Sequence, residues 1–153
     1  MRGVGAGRVR VASVASRGER VLAAMSSVAC LAMLVTGALI TPSADGMGTH
    51  TQLGLASCGW YSSFQSPCPT CGMTTAVSLA AHGRIGASFV TQPMGCLIAI
   101  GAACMVWVGL ASAVMGWTLR PLMDRALSTR VVWVVAGLGA AAWIYKIVSH
   151  VER

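Results

Sequence analysis

Chemistry in this chain rests on sulfur. Six cysteines are present: Cys30, Cys58, Cys68, Cys71, Cys96 and Cys104. Three of them share one stretch, Cys58-Gly-Trp-Tyr-Ser-Ser-Phe-Gln-Ser-Pro-Cys68-Pro69-Thr70-Cys71-Gly72-Met73-Thr74-Thr75. A Cys-x-x-Cys pair brings two sulfurs together across one turn. That geometry serves a reducible disulfide, a metal ion or a redox couple. Pro69 fixes its own φ and biases Cys68 away from helix. Gly72 permits a sharp turn or a close backbone approach. Residues Met73 to Ala81 then read as a short helix, with His82-Gly83 as its C-terminal stop. Cys71 falls just before that helix N-terminus, where the dipole favours a thiolate. The expectation is a Cys71 thiol below its ordinary value.

Three chemistries remain open for these sulfurs. A disulfide could staple the loop to neighbouring helix ends in an oxidising compartment, with Cys96 a possible partner for the odd thiol. A zinc or iron ion could be held by Cys58, Cys68 and Cys71. Structural zinc asks for four N/S ligands, and Cys96, His82 or His50 would be the fourth. The spacing lacks the second Cys-x-x-Cys of a zinc ribbon. A dithiol relay through Cys68 and Cys71 is the third. Cys30 and Cys104 lie inside apolar runs and read as small packing residues. Other catalytic machinery finds little support. Ser43, Asp45 and His50 share a loop without a nucleophile elbow. Four acids in the whole chain leave no carboxylate pair. No Gly-rich phosphate loop follows a strand.

The elements that carry these residues are membrane-like. The chain has 153 residues, 56% hydrophobic and 10% charged, against about 25% charged in an ordinary soluble domain. Such a composition excludes a disordered chain and gives a soluble enzyme too thin a polar surface. Three apolar runs stand out: Val21 to Ile40, Met94 to Trp117 and Val131 to Val148. Twenty helical residues at about 1.5 Å each give roughly 30 Å, the hydrocarbon thickness of a bilayer. The expected fold is an all-α membrane protein with about three transmembrane helices and a short interfacial helix over 73–81. The segments between are 1–20, 41–93 and 118–130. The first run is read as an uncleaved anchor, being longer than a signal-peptide core. Lys146 sits near the end of the third run. It can snorkel there, whereas at mid-membrane it would cost about 2.5 to 3.5 kcal/mol.

Charge placement predicts orientation. Arg2, Arg8, Arg10, Arg17 and Arg20 precede the first run, and Arg120, Arg125 and Arg130 lie in the 118–130 link. Loop 41–93 holds only Arg84. Positive flanks stay cytoplasmic, so the N-terminus and link are expected inside and the cysteine loop outside. Lys146 and Arg153, at the outer end of the third run, pull mildly the other way. The net charge of +7 is then mostly topology and headgroup attraction, and nucleic acid is not an expected partner. The lipid bilayer is. Small residues spaced four apart, Gly95/Ala99/Ala103, Gly109/Ala113 and Gly137/Ala141, would let helices approach within the chain or bind other membrane subunits. Trp60, Tyr61, Trp117, Trp143 and Tyr145 suit interface positions.

Residues 53 to 100 resemble the domain of unknown function 2752 family of small bacterial membrane proteins. That family sets a leading cysteine before a Cys-Pro-x-Cys-Gly-x-Thr-Arg segment, a short helix, a glycine, an aromatic and an Asn-Pro that opens a span. Cys58 matches the leading cysteine. Cys68, Pro69, Cys71, Gly72 and Thr74 match the core, and Gly83, Ala87, Phe89 and Pro93 match the positions after it. Thr75 replaces the family's arginine, Gln92 its asparagine, and Arg84 a frequently acidic position. The resemblance implies a bacterial inner-membrane location and an architecture, not a reaction. The reading is a non-enzymatic accessory or structural component whose cysteine loop is held by a disulfide or a metal ion. The alternative is a membrane thiol–disulfide oxidoreductase using Cys68 and Cys71.

Overall fold

A computed structural model describes residues 14–64 and 67–151. Arg2, Arg8, Arg10 and Arg153 lie outside the described residues. The described residues are mostly helical, in the order α1 (Arg17–Leu39), a 3-10 turn (Thr49–Leu53), α2 (Gly59–Phe64), α3 (Met73–Ala81), α4 (Ile85–Thr91), α5 (Pro93–Met115), α6 (Arg120–Ala126) and α7 (Thr129–Val151). Among the described residues, three helices are long and apolar enough to cross a membrane: Arg17–Leu39, Pro93–Met115 and Thr129–Val148. The short helix expected over 73–81 forms as α3, and α2, α4 and α6 are additional to the sequence reading.

Helix limits are set by local chemistry more than by hydropathy. α1 begins four residues before the apolar run because Ser16 caps it. The Ser16 hydroxyl accepts from the Glu19 N–H at 3.3 Å, and the Glu19 carboxylate accepts from the Ser16 N–H at 2.7 Å. That capping box satisfies two otherwise orphaned donors. Pro93 opens α5 at its first turn, where a missing N–H costs nothing. Gly116 closes it in the left-handed conformation, φ +74°.

α1 and α5 pack antiparallel as the main pair. Arg20 donates to the carbonyls of Ala113 and Val114 at 2.8 and 3.1 Å, tying the start of α1 to the end of α5. Glu19 pairs with Arg120 on the same side. Close approach depends on Gly109, where a Cβ would meet the Ser27 hydroxyl and lie 2.9 Å from the Ala23 carbonyl oxygen. At the other end α3 wedges between the two helices. A Cβ on Gly95 would lie 2.9 Å from Ala76 Cβ, and one on Gly37 3.3 Å from Val77 Cγ1. The buried core is here: Thr75, Ala76, Val77, Ser78 and Leu79 of α3, with Cys96 and Ala99 of α5. Its polar members are satisfied locally. Ser78 donates to the Ile40 carbonyl at 2.9 Å and Ser88 to that of Ala76 at 2.6 Å.

Two of the three small-residue sets thus serve contacts within the chain. Gly137 has open space around it. α7 touches the rest chiefly near its C-terminal end, and its remaining apolar side chains, Val132, Trp133 and Val134 among them, are exposed. Exposed apolar surface on this scale is what lipid covers.

Candidate functional site

The Cys-x-x-Cys segment is a tight turn held from three directions. Within it, the Cys71 N–H donates to the Cys68 carbonyl at 2.9 Å, and the Met73 N–H to that of Thr70 at 3.1 Å. From α7, the Trp143 indole donates to the Pro67 carbonyl at 3.2 Å. From the start of α5, Gln92 donates to the Pro69 carbonyl at 3.0 Å. Behind it, Gly72 takes φ +85° and presses on the 41–48 strap. A Cβ there would stand 2.6 Å from the Gly46 carbonyl oxygen and 3.2 Å from Lys146 Nζ. No other residue type fits that backbone and that space. The strap is fixed in turn, since the Ser43 N–H donates to the Thr49 hydroxyl at 3.0 Å and Thr49 meets the Thr75 hydroxyl at 2.8 Å.

This scaffold gathers the three loop thiols. Cys58 Sγ lies 3.7 Å from Cys68 Sγ. Cys68 Sγ also meets the Thr70 hydroxyl at 3.3 Å. Cys71 Sγ points instead at Met47 Sδ, 3.2 Å away. All six cysteines are free thiols. Cys104 is exposed on α5 and Cys30 half-buried on α1, both away from the turn.

The two motif thiols differ in character. Burial works to raise Cys68, but hydrogen bonds from Thr70, Cys58 and Cys71 outweigh it and hold the thiol below its ordinary value. Burial pushes Cys71 up, and the neighbouring Cys68 and Cys58 sulfurs add to the rise against the opposing charge of Lys146. This corrects the expectation of an activated Cys71. Gly72 intervenes as the α3 N-cap, and the Cys71 side chain turns inward to Met47 rather than to the helix terminus. Of the two motif thiols, Cys68 is the one held below its ordinary value.

The remaining ligand candidates are occupied elsewhere. Cys96 is 1% exposed, and its thiol faces the Ile85 carbonyl at 3.8 Å. His82 Nδ1 meets the Ser78 carbonyl at 2.8 Å, finishing its own helix. His50 Nε2 meets the Ala56 carbonyl at 3.2 Å. Among the described residues, no three His, Cys, Asp or Glu side chains converge to hold an ion. Thr74 is half-buried beside the turn. Gly83 leaves α3 at φ +76°, and Pro93 starts α5.

A cavity of about 610 Å³ opens beside the thiols. Cys58, Cys68 and Cys71 line one end, and Met33 and Thr36 of α1 with Ile98 of α5 line the other. Its wall is predominantly apolar.

Residues 58–107 match the family described as protein of unknown function (DUF2752). The DUF2752 segment runs from the leading cysteine through α3 and α4 to most of α5. It excludes α1 and α7, so Trp143 and Lys146 reach the motif from outside it. No curated protein and no solved structure matches the chain. The family's asparagine position is filled by Gln92, which is fully buried and keeps a carboxamide on the Pro69 carbonyl. The arginine position is filled by Thr75, fully buried on Thr49.

Sequence reading missed four positioning residues: Met47, Gln92, Trp143 and Lys146. Lys146 had a signal, as the one charge inside a span. It reaches into the cap rather than to bulk water, donating to the Thr91 carbonyl at 3.1 Å. Met47 had none, because a methionine in a loop carries no periodicity.

Proposed function

We propose that the chain is a multi-pass protein of a bacterial inner membrane, with its N-terminus cytoplasmic and its thiol-bearing cap outside. In this reading it is a non-enzymatic component whose cap is fastened by a Cys58–Cys68 disulfide. The observation that carries the reading is the 3.7 Å between those sulfurs. A disulfide needs two thiols, and these already lie in contact, to close to about 2.05 Å. A zinc or iron fastener needs about four N/S ligands, and Cys96, His82 and His50 are engaged elsewhere. Orientation is supported by Arg17, Arg20, Arg120, Arg125 and Arg130, which gather at the end of the bundle away from the thiols.

The test is thiol counting on the purified full chain before and after reduction, combined with metal analysis. Expected are four free thiols rising to six, a Cys58–Cys68 peptide by mass spectrometry, and no stoichiometric metal. One equivalent of zinc or iron with protected thiols would replace the disulfide by a metal site. Six free thiols with no metal would remove both.

A second reading is favoured by one further observation. Cys68 is activated and partly exposed while its motif partner Cys71 is more buried and raised. An attacking thiol beside a buried resolving thiol suits thiol–disulfide exchange. In that reading Cys68→Ser leaves the fold intact and abolishes exchange with a small disulfide. Loss of the folded protein would favour the fastener.

A further inference from the structure

The cavity beside the thiols is built from two environments. One end is sulfur and cap backbone. The other is the apolar sides of α1 and α5, the two helices packed as the main pair. Its volume, about 610 Å³, lies in the range of small-molecule sites, roughly 300 to 1,000 Å³. A predominantly apolar wall favours an uncharged, lipid-soluble ligand. A charged soluble oxidant gains nothing from it, because burying charge against apolar walls is costly.

Closing Cys58 and Cys68 into a disulfide releases two electrons and two protons, which something must accept. We propose that this cavity binds a lipid-soluble quinone, and that the bound quinone oxidises the Cys58/Cys68 dithiol. Both S–H bonds break and one S–S bond forms. The two electrons and two protons pass to the quinone, whose two carbonyls become the hydroxyls of a quinol. The inference rests on the reading that Cys58 and Cys68 close as a disulfide. Three features fit a quinone to this space. The ligand must be uncharged to occupy the apolar end, must take two electrons together, and must present its ring to the sulfurs. Thr70, whose hydroxyl meets Cys68 Sγ at 3.3 Å, also lines the cavity. Cys68 is the thiol held below its ordinary value, and its sulfur already lies 3.7 Å from that of Cys58.

The test uses the full chain in lipid nanodiscs, reduced and freed of reductant. A short-chain ubiquinone analogue is added, and quinone absorbance is monitored together with the free-thiol count. Expected is loss of about one quinone and two thiols per chain, with the Cys58–Cys68 peptide recovered. Thr36→Trp places an indole in the cavity from an exposed position of α1. It slows oxidation by the quinone about tenfold or more, equivalent to about 1.4 kcal/mol of lost binding, while diamide, a water-soluble oxidant, still closes the pair at the parent rate. If diamide closes the pair but the quinone does not, or if Thr36→Trp leaves the quinone rate unchanged, the quinone site is wrong and the fastener survives. If neither oxidant closes the pair, both readings fall.

Discussion

At the scale of single residues, the thiols and one glycine decide the chemistry of the cap. Cys68 is held below its ordinary value and Cys71 above it, so both thiolate fractions rise with pH but that of Cys68 rises at lower pH. Thiolate is the nucleophile. In the reduced protein Cys68 therefore stays reactive at pH values where an ordinary thiol has become protonated. Cys71 gains reactivity only at pH values above those of an ordinary thiol. Alkylation across a pH series from mildly acidic to mildly basic, read by peptide mass spectrometry, is expected to label Cys68 first throughout. Equal labelling of the two in slightly basic buffer would show that the difference in environment is not felt. Gly72 is the second residue-scale case. Alanine there adopts a left-handed backbone at a cost of about 1–2 kcal/mol, and its Cβ would also stand 2.6 Å from the Gly46 carbonyl oxygen. Gly72→Ala is expected to lower the melting temperature in detergent and to expose Cys71 to alkylation at neutral pH. An unchanged melt would mean that the strap simply moves aside. The cysteines and Gly72 were legible in the sequence because type and spacing announce them. The choice of Cys68 over Cys71 was not, since it depends on where each sulfur points after Gly72 turns the chain.

At the scale of elements, the decisive contact is between α1 and α5. Gly109 lets α5 sit directly on the Ala23–Ser27 turn of α1. A methyl group there overpacks the interface, at roughly 1–3 kcal/mol. Gly109→Ala is expected to destabilise by that amount in a denaturant or thermal series. Gly137→Ala on α7 meets nothing within 4 Å and is expected to stay within about 0.5 kcal/mol of the parent, as surface changes do. A reversal of the two would mean that α7, not α5, is the main partner of α1. Both glycines carried the same four-residue spacing in the sequence. Spacing identifies a helix face that can be approached, but not which neighbour approaches it. The three long helices were legible from hydropathy. α2, α4 and α6 were not, since six or seven residues without a full amphipathic period give no pattern to read.

For the whole molecule, orientation links the sulfurs to a compartment. α1 and α5 run antiparallel, so the thiol cap and the 116–128 link lie at opposite ends of the bundle, joined by helices long enough to cross a bilayer. One end holds Arg17, Arg20, Arg120, Arg125 and Arg130. At the other, Lys146 is directed into the cap and 8% exposed, so its charge is spent on the Thr91 carbonyl rather than displayed at the surface. That weakens one of the two votes, Lys146 and Arg153, against an outward C-terminal end of α7. In the orientation we propose, retention of arginine on the cytoplasmic side places the cap outward, in a compartment where disulfides persist. In intact cells treated first with a permeant reductant, an impermeant maleimide is expected to label the cap at Cys68. Leu127→Cys, in the exposed link, adds one further equivalent only after the membrane is opened. Labelling of Leu127→Cys in intact cells with protection of Cys68 would invert the topology. The cap would then face the reducing side of the membrane, and a Cys58–Cys68 disulfide would lose the compartment that maintains it.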